Sequence, residues 1–327
     1  MSTKFLILLL AVFLLSTVSL AGAQQGKKSA RVGYLALGSG PGETEAGFKQ
    51  HLRELGWVEG QNLSIDYRWA GNDIARLTIL ARELVDLKVD VIAVSATPVI
   101  HAAKKATTTI PIVMIGAADP VASGFVASLA RPGGNITGLS LQSPELAGKR
   151  LELLKETVPR LTRVAFLAHG GDPAHKLFLD EALDIAPKLG IKIQPIVIEE
   201  LGKLPAAFSL MMKDRAGAVV VQPLLTGSAL GQGGKVAELS AKNRLPTVSD
   251  GIRFPEAGGL MSYGANRLDL FRRAAAFVDK ILKGTTPADL PVEQPVKFDL
   301  VFNLLAAKQI GLTIPPNVLV RADRVIR

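Results

Sequence analysis

The sequence predicts an α/β protein made of two doubly wound parallel-sheet lobes. Two features of the 327-residue chain carry this expectation. Short β-rich runs alternate with longer amphipathic runs, the signature of strand–helix crossovers and of parallel sheets covered on both faces. The alternation then starts again halfway along the chain, and the length suffices for two domains.

In the first half, strand-like runs fall at Arg31–Leu37, Leu63–Trp69, Val89–Ser95, Ile112–Ala117 and Ile136–Leu141. Helical patterns lie between them at Glu43–Leu55, Asp73–Leu87, Pro98–Thr107 and Pro120–Ala130. In Asp73–Leu87, Ile74, Leu77, Leu80, Ala81 and Leu84 recur at helical spacing and make one buried stripe. Gly56 stands where a helix C-cap is wanted and Asn72 where an N-cap is wanted.

The second half repeats the pattern. Its strand-like runs are Arg163–Ala168, Lys192–Ile198, Ala218–Gln222, Thr247–Asp250 and Gly259–Tyr263, and its helical runs Pro144–Val158, Pro173–Leu189, Ala206–Arg215, Lys235–Asn243 and Arg267–Lys283. The expected division is a first lobe of residues 24–138 plus about 259–290, and a second lobe of residues 139–258 plus about 291–327.

The N-terminus predicts export. Lys4 precedes an apolar run from Phe5 to Leu15, and Ala21-Gly22-Ala23 gives an A-x-A end, so residues 1–23 read as a cleavable signal peptide. The apolar core falls short of the roughly 20 residues of a spanning helix. The chain has no cysteine, which excludes thiolate metal sites and a lipid-anchoring thiol and favours a freely diffusing periplasmic protein. The signal carries one lysine and no acid, so its removal lowers the formal charge from +9 to +8. Lys and Arg are scattered and aromatics are only 5%, which argues against a nucleic-acid surface.

Several stretches together resemble one family. They are Leu55-Gly56-Trp57-Val58-Glu59-Gly60-Gln61-Asn62, Tyr67-Arg68-Trp69-Ala70, Leu87-Lys88-Val89-Asp90-Val91-Ile92, Asp119-Pro120-Val121 and Ser128-Leu129-Ala130-Arg131-Pro132-Gly133-Gly134-Asn135. Glu256-Ala257-Gly258-Gly259-Leu260-Met261-Ser262-Tyr263-Gly264 and Arg321-Ala322-Asp323-Arg324-Val325-Ile326 complete the set. In this order they resemble the ABC transporter substrate-binding proteins. The resemblance implies the type I periplasmic-binding-protein fold, a ligand held between the lobes, and relatives that bind aromatic amino acids such as tryptophan. Family members often carry Glu-Val-Ile where this chain has Arg324-Val325-Ile326, a terminal difference read as remote from binding.

Geometry points to the same place. In open parallel sheets, ligands sit beyond the carboxyl ends of the strands, where helix N-termini aim N–H groups and positive dipole ends. The candidate ligand residues are therefore Ser39 and Gly40, Ser95 and Thr97, Asp119, His169 and Asp172, Gln222, Asp250 and Tyr263. Hydroxyls of Ser39, Ser95 and Thr97 suit a ligand carboxylate, with helix capping as their alternative role. Asp119 or Asp250 suits an ammonium, with capping the alternative for Asp119, and Gln222 reads either a donor or an acceptor. Trp57, between a helix and the next strand, reads as packing; Trp69 ends an edge strand, which also favours packing over stacking on a ligand.

Other chemistries have little material. Gly38-Ser39-Gly40-Pro41-Gly42-Glu43 mimics a dinucleotide fingerprint but places a carboxylate at its third glycine. No G-x-S-x-G or G-x-x-x-x-G-K-[ST] occurs, so no nucleophile elbow or P-loop is present. His169 to His175 offers two imidazoles and Asp172, the one stretch eligible for an acid–base or metal site. The expectation is a non-enzymatic, monomeric carrier with no cofactor or metal. It would capture a small molecule, such as an amino acid or aromatic compound, by lobe closure and deliver it to ABC permease subunits. A ligand sensor for a membrane receptor, or an enzyme built on the His169–His175 loop, is the alternative.

Overall fold

A computed structural model describes residues 29–141, 143–227 and 229–327. The predicted signal peptide lies outside the described residues. The first sheet runs β2-β1-β3-β4-β5, all parallel, from β1 (Ala30–Ala36), β2 (Leu63–Trp69), β3 (Val91–Val94), β4 (Ile112–Ala117) and β5 (Ile136–Ser140). Helices α1 (Glu43–Glu54), α2 (Leu77–Asp86) and α3 (Thr97–Ala106) intervene.

The second sheet contains β6 (Arg163–His169), β7 (Lys192–Ile198), β8 (Ala218–Val221), β9 (Thr247–Ser249), β10 (Met261–Ala265), β11 (Phe298–Asn303) and β12 (Arg324–Ile326). Its order is β12-β11-β10-β9-β8-β6-β7. Between them run α4 (Ser143–Thr157), α5 (His175–Ile185), α6 (Leu204–Lys213), α7 (Pro223–Thr226), α8 (Gly233–Lys242), α9 (Arg253–Glu256) and α10 (Arg267–Leu282), followed by α11 (Leu304–Gln309) and α12 (Pro316–Leu319).

Both sheets place their first strand inside the second, so each has a point where strand order reverses: β1/β3 in one lobe, β6/β8 in the other. Those points are where ligands bind in such sheets. Central strands such as β3 and β4 are apolar on both faces because helices cover both, whereas edge strands β2 and β7 keep polar or exposed positions. Phe48 and Leu52 of α1 pack with Leu270 and Phe277 of α10 on one face of the first sheet, while Leu80 and Leu84 of α2 and Ile100 of α3 fill the other.

The lobes exchange chain three times. The first passage lies between Ser140 and Ser143, after β5. Just before it, within β5, Gly138, at φ +128°, lies so close to β4 that a Cβ would stand 2.3 Å from the Met114 carbonyl oxygen, so only glycine fits. The second lies between β10 and α10, and the third runs from the Leu139–Glu293 bridge into β11.

Three expectations need correction, and two strands were not foreseen. The sequence pattern places Gly259–Tyr263 in the first lobe, but Met261–Ala265 is strand β10 of the second sheet, pairing with β9, and the chain returns only at Asn266. Pro120–Ala130 is a series of turns, because Gly124 adopts φ +67° and the Asp119 carboxylate holds only a local turn. Antiparallel β11 and the short β12 carried no recognised signal. Asn72 is not an N-cap; Asp73 accepts the Ala75 N–H and starts the helical turn. Among the described residues, no helix is long and apolar enough to cross a membrane.

Candidate ligand cleft

A cavity of about 730 Å³ lies between the lobes, walled by the strand ends of both sheets. The lobes touch around it. A Cβ on Gly42 would stand 2.7 Å from the Arg253 Nη2, and one on Gly171 would stand 2.7 Å from the Ile74 Cδ1, so side chains of each lobe seat against glycines of the other.

From the first lobe, Ser39 and Gly40 follow β1, and Ser95 and Thr97 follow β3. All four line the cavity. Between Ser95 and Thr97, Ala96 holds φ +80° and ψ 143°, a strained backbone for a residue with a Cβ. Ala96 is the N-cap of α3 and offers no side-chain acceptor; Pro98 has no N–H and the Val99 and Ile100 N–H groups turn back to the Ala96 carbonyl, so this helix end presents to the cavity its positive dipole beside the Thr97 hydroxyl. Sequence reasoning found the hydroxyls but had no signal for the strained alanine.

From the second lobe, Asp172 lines the cavity and is almost fully buried. Its Oδ1 accepts the Ala174 N–H at 3.0 Å and its Oδ2 accepts the Gln222 Nε2 at 2.7 Å. No cation pairs with it among the described residues, and burial pushes its carboxyl up to about 6. Asp250 also lines the cavity, but the Arg267 Nη2 sits 2.7 Å from its Oδ2, so its charge is already compensated. Fully buried Arg150 stands beneath, its Nε donating to the Tyr263 carbonyl at 2.8 Å, with its pKa lowered by burial to about 10.

Four candidates lie elsewhere. Gln222 is turned inward, its Oε1 accepting the His169 N–H at 2.9 Å while its Nε2 holds Asp172. The His169 Nδ1 accepts the Gly171 N–H, which fixes the loop, and burial lowers the imidazole pKa. Asp119 accepts two backbone N–H groups of its own turn, from Val121 and Ala122. The Tyr263 ring stacks on Phe298. None of these four forms part of the cavity wall. The His175 Nδ1 lies 2.7 Å from the Asp172 carbonyl, so the imidazoles of the His169–His175 loop shape the loop itself. Among the described residues no group of His, Asp and Glu is arranged to hold a metal ion.

The walls also hold residues that strand-end reasoning passed over. Trp69 sits on edge strand β2, yet it lines the cavity, backed by Tyr34 at 5.5 Å and by Tyr67 stacked at 6.0 Å. Phe271 of α10 and Phe178 of α5 add aromatic surface. Arg324, expected to be remote, lines the cavity and pairs with Glu256 at 3.0 Å. Trp57 packs as expected, its Nε1 donating to Asp279 at 2.8 Å.

Comparison with known proteins agrees with this architecture. A tyrosine-binding protein of Clostridioides difficile (strain R20291) is 28% identical over 279 residues, 85% of this chain and 79% of that protein. An ABC domain from Streptococcus pneumoniae in complex with L-Trp superposes with a TM-score of 0.83 at 26% identity, covering 91% of this chain and 100% of that one. The ligand-free, open structure of a Clostridium difficile substrate-binding protein with adhesive properties gives 0.65 at 25% identity, over 91% and 99%. The two lobes have the fold of type I periplasmic binding proteins. The family described as ABC transporter substrate binding protein matches residues 34–326, and the chain belongs to that family.

Proposed function

We propose that this protein is the extracytoplasmic solute-capturing component of an ABC importer and that its solute is an aromatic amino acid held by lobe closure. The observation that carries the reading is the cavity itself, which divides the three chemistries of such a solute among its walls. The uncapped N-terminus of α3, with the Ser95 and Thr97 hydroxyls, suits the carboxylate. Buried Asp172, without a cation of its own, suits the ammonium. Trp69, Phe178 and Phe271 suit the ring.

Closure fits the comparisons. At nearly equal identity, the chain matches the L-Trp complex at a TM-score of 0.83 and the ligand-free open structure at 0.65. The contacts of Gly42 with Arg253 and of Gly171 with Ile74 are those of a shut cleft. A ligand that touches both lobes favours this state by its differential affinity for it. The shut outline of both lobes is what a permease would read, and the predicted export signal would deliver the protein to the periplasm.

A thermal-shift screen of the mature chain against L-tyrosine, L-tryptophan, L-phenylalanine, L-leucine and D-glucose tests the reading. At about 100 times its Kd a ligand adds roughly 2.7 kcal/mol, which raises the midpoint by several degrees. Shifts from the aromatic amino acids are expected. A shift from D-glucose alone would refute the solute class.

A further inference from the structure

The turn that follows β2 carries an amide for which neither the fold nor the carboxylate and ammonium subsites has a use. Three successive N–H groups tie this turn to the end of β1: Ala70 to the Ala36 carbonyl at 3.0 Å, Gly71 to Gly38 at 3.0 Å and Asn72 to Leu37 at 2.7 Å. The Arg76 Nη1 braces it from the other side, donating to the Ala70 carbonyl at 3.1 Å. Asn72 is thereby fixed at φ +66°, in the left-handed region. A glycine would take that conformation with no side chain at all.

The Asn72 side chain lines the cavity, and its Oδ1 is buried and accepts no hydrogen bond among the described residues. Buried acceptors without partners are rare in folded proteins and cost stability, so one on a ligand-cavity wall points to a donor that arrives with the ligand. The amide also stands at the seam between lobes: a Cβ on Gly231, in the second lobe, would lie 3.8 Å from the Asn72 Nδ2. Trp69, which supplies ring surface, is three residues earlier and lines the same cavity.

We infer that Asn72 is a specificity-determining residue whose Oδ1 accepts a hydrogen bond from a ring-borne O–H or N–H of the ligand. The inference rests on the aromatic amino-acid reading and sharpens it. A neutral amide oxygen repels a carboxylate and gains little from a bare hydrocarbon edge, so the solute class is a phenol or indole amino acid rather than phenylalanine. Because the acceptor lies at the seam and its turn is rigid, a ligand lacking the donor would shut the cleft over an unpaired oxygen. Sites built to hydrogen-bond a substrate group reject the analogue that lacks it for this reason.

Isothermal titration calorimetry on two matched pairs tests the assignment. L-Tyrosine is compared with L-phenylalanine, and L-tryptophan with β-(3-benzothienyl)-L-alanine, which replaces the indole N–H by sulfur. The wild-type protein is expected to prefer the donor-bearing member of at least one pair by about 10- to 100-fold. In Asn72→Gly, which tolerates the same backbone, the pair should come within about threefold, mainly through weaker binding of the donor-bearing member. In Asn72→Asp, which keeps an acceptor, the preference should persist. Equal wild-type affinities within both pairs, or an undiminished preference in Asn72→Gly, overturns the role of Asn72 while leaving the aromatic reading intact. Failure of all four compounds to bind overturns both.

Discussion

Gln222 and Asp172 meet through a 2.7 Å hydrogen bond from the amide Nε2 to the carboxylate Oδ2, and both are buried. The other end of the same amide accepts the His169 N–H at 2.9 Å. One side chain after β8 therefore sets the position of a carboxylate that follows β6. Gln222 is not part of the cavity wall, yet the position of the Asp172 carboxylate on that wall depends on both bonds.

Gln222→Leu should consequently act on stability and affinity together. It leaves the His169 N–H and one Asp172 oxygen unpaired, costing roughly 1–3 kcal/mol of folding free energy. Urea denaturation reads the first effect and calorimetry with L-tyrosine the second; a loss of affinity with unchanged stability would contradict the positioning role.

The pH response follows from Asp172, whose carboxyl is raised by burial to about 6 from an ordinary value near 3.8. The folded state holds this proton more tightly than the unfolded state, so the group's contribution to stability is full below about pH 4. It is lost as pH rises toward 6, and flat above. Ligand binding runs the other way: an ammonium wants the ionised carboxylate, so affinity should climb as pH rises through 6. Asp172→Asn should flatten both profiles, read by thermal melts and calorimetry between pH 4.5 and 8.

Gly138→Ala tests the close β4–β5 packing that leads into the first passage between lobes. A Cβ 2.3 Å from the Met114 carbonyl oxygen, on a backbone at φ +128°, should cost about 3 kcal/mol or more or prevent folding. Gly134→Ala, where a Cβ meets nothing within 4 Å, serves as the mild control. Equal stability of the two variants would contradict the close β4–β5 approach.

Most of the fold was readable because each central strand is a continuous apolar run flanked by amphipathic helices. The run at Val91–Val94 is fully buried for that reason. What failed depended on partners far away in sequence. Nothing local tells Met261–Ala265 that it will pair with β9, or tells Phe298–Asn303 that it will run antiparallel to β10. Likewise the strand-end rule located Ser39, Ser95, Thr97, Asp172 and Asp250 on the cavity wall. It could not say that Gln222 turns inward to Asp172, or that Arg267 from another element neutralises Asp250. The edge-strand position of Trp69 favours packing in the sequence, yet the last residue of an edge strand still reaches the cleft rim.

Closure on a captured solute is most directly measured as a distance between lobes. The sequence has no cysteine, so Ala46→Cys and Lys235→Cys, both at exposed positions on opposite lobes, can carry a clean pair of spin labels. Pulsed dipolar spectroscopy should give a broad distribution reaching longer distances without ligand. With saturating L-tyrosine or L-tryptophan, it should give a narrow, shorter distribution that matches the shut cleft described here. Identical distributions with and without a ligand shown by calorimetry to bind would contradict lobe closure.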